Sequence, residues 1–148
     1  MTLHVAVVGA GRATAEQVEA AEEVGRRVGE AGAVLVCGGL GGVMEAACRG
    51  AKAAGGTTLG LLPGTDRAAA NAFVDVAVPT GLGEARNALV VRAADVLIAV
   101  AGEYGTLSEI ALALKAGTPV VGLGTWDIDG IEQAGSPDEA VEAALRLS

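Results

Sequence analysis

Aromatic side chains are almost missing from this sequence: Phe73, Tyr104 and Trp126 are the only three in 148 residues, although 51% of the chain is hydrophobic. A core without rings is built from Ala, Val, Leu and Gly, so its layers must approach closely to reach protein packing density. Basic residues are scarce too, ten against eighteen acids, for a formal net charge of −8. Binding a polynucleotide needs clustered Lys and Arg along the phosphates, so this balance argues against a nucleic-acid partner. A single nucleotide needs only a few local donors and stays within reach. Apolar runs are broken by Gly, Pro or charge well before the roughly 20 residues of a membrane span. The start, "MTLHVAVVG", also lacks the basic region of a secretory signal. No membrane partner and a cytoplasmic location are therefore expected. Cysteine occurs only at Cys37 and Cys48, with no nearby Cys or His to complete a metal site, and both read as buried free thiols. The two lysines, Lys52 and Lys115, fall in helical segments without an evident pocket, which disfavours pyridoxal phosphate chemistry. No resident cofactor and no metal are expected.

What is present is a regular alternation. Short apolar runs at 3–9, 33–39, 57–64, 72–80, 94–100 and 118–124 have strand length, and helical patterns at 14–32, 42–56, 83–93, 106–117 and 137–147 fill most of the gaps. The first helix places Val18, Ala21, Val24 and Val28 on one face; Thr14 and Gln17 form a capping box at its start, and Gly32 marks its end. The last helix opens on Ser136-Pro137-Asp138-Glu139, a second capping box with proline at the first helical position. Near-continuous apolar strands alternating with helices indicate a sheet covered on both faces. The expected fold class is α/β: a Rossmann-like three-layer sandwich with a mainly parallel sheet of about six to seven strands, in one domain over 1–148. Ligands of such sheets bind outside the carboxyl ends of the strands, where strand order reverses.

Three loops after strands therefore hold the chemistry. "GAGRAT" at 9–14 has Gly9 and Gly11 but Thr14 in place of the third glycine of a dinucleotide fingerprint, and no acid ends the second strand. A tight turn into a capped helix accounts for it as well as a ligand does. No P-loop sequence occurs anywhere. "GGLGGVMEAA" at 38–47 places four glycines before a helix start, which lets backbone approach a ligand or simply lets helix pack on strand. "AGEYGTLSE" at 101–109 follows a strand with Gly102 and Gly105, which turns the amides of Gly105, Thr106 and Leu107 toward the strand ends, suited to a phosphate. The same residues read equally as a capping box between Thr106 and Glu109.

The stretches "GGLGGVMEAACRGAKAAGG", "GLGEARNALVVRAADVLIAV" and "GEYGTLSEIALALKAGTPVVGL" resemble a Rossmann-like nucleotide-binding superfamily. It includes the LONELY GUY phosphoribohydrolases, once mislabelled lysine decarboxylases, and the molybdenum cofactor carrier proteins. The motif G-G-x-x-G-x-M is met by Gly38, Gly39, Gly42 and Met44, and P-G-G-x-G-T-x-x-E by Gly102, Gly105, Thr106 and Glu109. The resemblance implies a nucleoside 5′-monophosphate ligand and, in the LONELY GUY branch, hydrolysis of the bond between base and ribose 5-phosphate. It assigns catalysis to Arg86 and Glu109, with the glycines of the two motifs, Met44 and Thr106 around the nucleotide; Gly9 and Gly11 of the first loop are candidate contacts to the same nucleotide. A carboxylate suits that reaction, because cleaving an N-glycosidic bond builds positive charge on the sugar. Arg86 offers a fixed fork of donors to phosphate or ribose, or else a salt bridge to Glu84. The sequence departs from the pattern at Ala101, Glu103 and Asn87, where the family's Pro, second Gly and a basic residue stand. These departures draw it toward the carrier branch, so a non-catalytic carrier or sensor of a phosphorylated small molecule is the alternative.

Other positions carry less. Asp127 and Asp129 form a fragment of a calcium loop without its remaining ligands, and His4 starts a strand at the edge opposite the expected ligand site. Tyr104 and Trp126 follow strands and suit either a base or packing. The helices at 83–93 and 106–117 are apolar around much of their circumference, so a homodimer or higher homo-oligomer through them is expected.

Overall fold

A computed structural model describes all residues, 1–148. The order is β1 (His4–Gly9), α1 (Ala15–Glu30), β2 (Val34–Cys37), α2 (Val43–Ala53), β3 (Thr57–Leu62) and β4 (Val76–Pro79), then α3 (Arg86–Arg92), β5 (Val96–Val100), α4 (Tyr104–Ala116), β6 (Val120–Leu123), β7 (Glu132–Gln133) and α5 (Pro137–Leu147). The seven strands form one wholly parallel sheet in the order β4-β3-β2-β1-β5-β6-β7. From β1 the chain steps outward to β4 on one side and then returns to place β5 against the other flank of β1. Strand order reverses between β1 and β5, so a crevice opens beyond Gly9 and Val100, which are paired in register. No helix is long and apolar enough to cross a membrane.

Strand alternation splits the core into two layers. Val5 and Val7 of β1 and Val96, Ile98 and Val100 of β5 face α1, α2 and α5, whereas Ala6, Val8, Leu97 and Ala99 face α3 and α4. The small-residue core has the consequence its composition requires. A Cβ on Gly25 would lie 1.9 Å from the Ala47 carbonyl oxygen, and one on Gly50 would lie 1.9 Å from that of Glu22. Helices α1 and α2 therefore touch backbone to backbone, an approach that only glycine permits.

Several boundaries differ from the sequence expectation. The capping box of α1 is present in full, with the Gln17 amide bonded to Thr14 Oγ1. That of α5 is half formed: the Glu139 amide bonds Ser136 Oγ, but its carboxylate accepts from Gly135, one residue too early. The run at 72–80 is strand only from Val76, because Asn71 bonds the Phe73 amide and turns the chain there. The pattern at 83–93 begins with a single 3-10 turn, Gly83–Ala85, before α3. Helix α4 begins at Tyr104, two residues before the expected start, and β7 was not expected.

Candidate ligand cleft

Beyond the carboxyl ends of β1 and β5 lies an open cleft of about 370 Å³. It falls within the range of small-molecule sites, roughly 300 to 1,000 Å³. Its floor is the end of β1 with Gly9 and Gly11; one wall is Gly38 and Met44, and the other is the start of α4.

The start of α4 is built by a strained turn. Ala101 is the only non-glycine residue with positive φ, at 51°, and Gly102 follows at 109°. A side chain at Gly102 would lie 2.4 Å from the Cβ and Oγ1 of Thr106, so this glycine is needed to fold the loop over the first helical turn. Leu107 already donates to the Glu103 carbonyl at 3.0 Å. The amides from Gly102 through Thr106 have no partner in the chain. They are a run of donors with the positive end of the helix dipole behind them. This corrects two expectations. Thr106 is not the cap and Glu109 does not reach back to it: the N-cap is Glu103, without a side-chain cap bond. The free amides run from 102 to 106 rather than to Leu107.

Glu109 lies one turn inside α4, only 6% exposed, and lines the cleft. Burial without a hydrogen-bond partner pushes its carboxyl up to about 7, and the nearby positive charge of Arg86 opposes this without cancelling it. Arg86, at the first position of α3, projects to the other side of the same space. Its Nη2 donates to the Gly38 carbonyl at 3.5 Å, its Nη1 donates to Asn87 Oδ1, and its Nε is buried without any partner. It makes no salt bridge with Glu84 or any other acid.

The sequence missed Asn87 as a contributor. Buried at 8% exposure, it accepts from Arg86 and donates to Ser108 Oγ at 3.1 Å, and Ser108 in turn donates to the Gly105 carbonyl at 2.7 Å. This chain ties the start of α3 to the start of α4. The only signal in the sequence was that Asn87 departs from a basic residue. Pro63, Gly83 and Glu84 also line the cleft; of these the sequence had offered only Glu84, and that as an ion-pair partner of Arg86.

Of the sequence-nominated residues, Gly9, Gly11, Gly38, Met44, Arg86, Gly105, Thr106 and Glu109 meet at the cleft. Gly39, Gly42 and Gly102 do not line it. Gly39 packs on Leu62 and Gly60, Gly42 on the Ala10 carbonyl, and Gly102 on Thr106, each with positive φ. Arg86 is the one cation among three carboxyl groups, those of Glu84, Glu103 and Glu109, so an anion here depends on backbone amides more than on net charge.

Elsewhere, Cys37 and Cys48 are free and buried with their sulfurs 3.4 Å apart; the hydrogen bond with Cys37, and then burial, hold the Cys48 thiol up, while Cys37 accepts from the Gly39 amide. His4 bonds the Ala93 carbonyl at the far end of β1. Asp127 and Asp129 are exposed.

The SLOG cluster4 family model matches residues 2–146. An uncharacterized protein of Archaeoglobus fulgidus is 42% identical over 147 residues, 99% of this chain and 97% of that protein. Among solved structures, the molybdenum cofactor binding protein from the phototrophic bacterium Rippkaea orientalis superposes with a TM-score of 0.94 at 37% identity, covering 99% of this chain and 98% of that one. The Moco carrier protein from Chlamydomonas reinhardtii does so with a TM-score of 0.91 at 38% identity, over 99% and 98% of the two chains.

Proposed function

The chain belongs to the SLOG cluster4 family, and from that premise we propose that it is a non-catalytic carrier of a small phosphorylated molecule, with a phosphorylated pterin such as the molybdenum cofactor as its cargo. The observation that carries this reading is that Glu103, Gly105 and Thr106, from the row of unpartnered amides, line the same cleft as Arg86, whose Nε also lacks a partner. Free backbone donors on a helix start suit a phosphate dianion, and Arg86 adds the fixed fork that a second phosphate edge accepts. The likeness to proteins described as binding or carrying the molybdenum cofactor supports the choice of cargo.

The phosphoribohydrolase reading rests on Arg86 and Glu109 sharing the cleft. It requires Glu109 to be an anion while positive charge grows on the sugar. A carboxyl pushed up to about 7 is only partly ionised at neutral pH, and the same value suits a general acid-base, so this shift does not separate the two readings. The same reading includes a second copy of the chain packed on the outer faces of α3 and α4.

The test is retention and turnover. Protein purified under anaerobic conditions from cells that make the cofactor should hold molybdenum and pterin in equal amounts, and incubation with GMP or AMP should release no free base. Absence of both molybdenum and pterin, with base released in an Arg86-dependent way, would replace the carrier by the hydrolase.

A further inference from the structure

Two of the three aromatic residues in the whole chain stand side by side just outside this cleft, with Tyr104 next in the chain to Glu103 and Gly105, which line it. Tyr104 and Trp126 have ring centroids 6.0 Å apart, inclined by 34°. Trp126 is fixed. It is half-buried against the core layer under α3 and α4, its indole N–H donates to the Glu103 carbonyl at 3.2 Å, and its carbonyl accepts from Gln133 Nε2 at 3.3 Å. Tyr104 leans on it with 81% of its surface exposed. It is the first residue of α4, between Glu103 and Gly105, which both line the cleft, and its own amide belongs to the unpartnered row.

We propose that Tyr104, backed by Trp126, is a stacking platform for the flat bicyclic N-heterocycle of the ligand, beside the amides that hold its phosphate. This rests on the phosphate site proposed above and names the chemistry of the rest of the molecule. One residue presents both the phosphate donor and the ring, so a phosphate on a short tether brings its heterocycle to the tyrosine. An aromatic face accepts any flat π-system, and a ring already held by a neighbour loses little freedom when it is covered. A phosphate without a heterocycle gains nothing from the platform. Purine nucleotides and pterin phosphates share the required shape.

Trp126 is the only tryptophan, so its emission reports on the platform directly. Calorimetry on the full chain would use inorganic phosphate, ribose 5-phosphate, GMP and neopterin monophosphate, with Trp126 fluorescence followed for the first three. GMP and neopterin monophosphate should bind about tenfold more tightly than ribose 5-phosphate, the size of effect seen when a stacking aromatic is truncated to alanine. The tighter of the two identifies the source of the heterocycle. GMP should quench Trp126 and ribose 5-phosphate should not. Tyr104→Ala should bring GMP and neopterin monophosphate down to the affinity of ribose 5-phosphate for the same variant, and Tyr104→Phe should restore the advantage of the heterocycle. Equal affinities for GMP, neopterin monophosphate and ribose 5-phosphate in the parent would overturn the platform while leaving the phosphate site standing. So would a Tyr104→Ala variant that keeps the advantage of the heterocycle, or one whose only change is in oligomeric state, which would make Tyr104 a contact between copies. If none of the four probes binds, platform and phosphate site fall together.

Discussion

Gly38 is kept bare by Arg86: a Cβ on Gly38 would stand 2.7 Å from the guanidinium Nη2 and 2.8 Å from its Cζ. The atoms that would clash are the ends of two long side chains, Arg86 and Met44, which can move aside. Gly38→Ala should therefore fold with little change in melting temperature yet displace the guanidinium from the cleft. Phosphate and GMP affinity, read by calorimetry, should fall by about tenfold, the range for losing a hydrogen bond to a charged group. Arg86→Lys should behave likewise, because an ammonium lacks the planar fork. Unchanged affinity in both variants would remove Arg86 from the site.

Glu109 makes stability depend on pH. Its folded carboxyl is raised from the ordinary 4.5 to about 7, so between those values the folded chain binds a proton that the unfolded chain has lost. Stability contributed by this residue is thus greatest below pH 4.5, falls as pH rises toward 7, and stays at its low value above. The full loss is at most about 3 kcal/mol for a shift of this size. Glu109→Gln stays neutral throughout, so it should match the parent near pH 4.5 and melt higher at pH 8. Parallel melting curves across that range would show that the carboxyl is ordinary. The capping-box expectation gave no reason for such a difference; burial without a partner does.

Glu103 places a carboxylate on the cleft, free of any ion pair, next to the amides that would hold a phosphate. It makes no side-chain cap bond, and glycine is an acceptable residue at a helix N-cap, so Glu103→Gly should not weaken α4. Inorganic phosphate should bind severalfold more tightly to the variant at low ionic strength, and the gain should shrink with added salt as the like charge is screened. A gain independent of salt, or no gain, would mean that this carboxylate does not face the anion.

Leu89 on α3 and Leu112 on α4 are 39% and 38% exposed. Burying both against a second copy is the expected use of this face, and sedimentation at micromolar concentration should show a dimer or larger assembly. Leu112→Glu should shift it to the monomer. A parent that sediments as a monomer would end the proposal.

Much of this architecture was legible in the sequence because it depends on local pattern. Thr14 and Gln17 mark α1 through a bond between neighbours, and Val5, Ala6, Val7 and Val8 announce a strand buried on both faces. The glycines at Gly38 and Gly105 pointed to the correct edge of the sheet. What stayed hidden depends on partners far along the chain. Strand β7 has only Glu132 and Gln133, too short for any alternation, and exists through its pairing with Val121 and Gly122. The start of α4 was misplaced because Thr106 and Glu109 have capping-box spacing, whereas the turn at Ala101 and Gly102 starts the helix earlier. The Arg86-Asn87-Ser108-Gly105 chain links two helices across 21 residues between Asn87 and Ser108, which no spacing rule announces.

Ala101 sets the distance between this loop and the P-G-G form of the hydrolase-like motif. Its φ of 51° lies on the opposite side of zero from the roughly −65° that a proline ring enforces. A proline placed at 101 would have to turn the carbonyl that Thr125 Oγ1 now holds and swing Gly102 away from Thr106, and with it the row of amides. What bars proline from this position is thus the backbone conformation rather than a side chain. Ala101→Pro, alone or with Glu103→Gly, would therefore cost this loop its present conformation rather than simply complete the letters P-G-G.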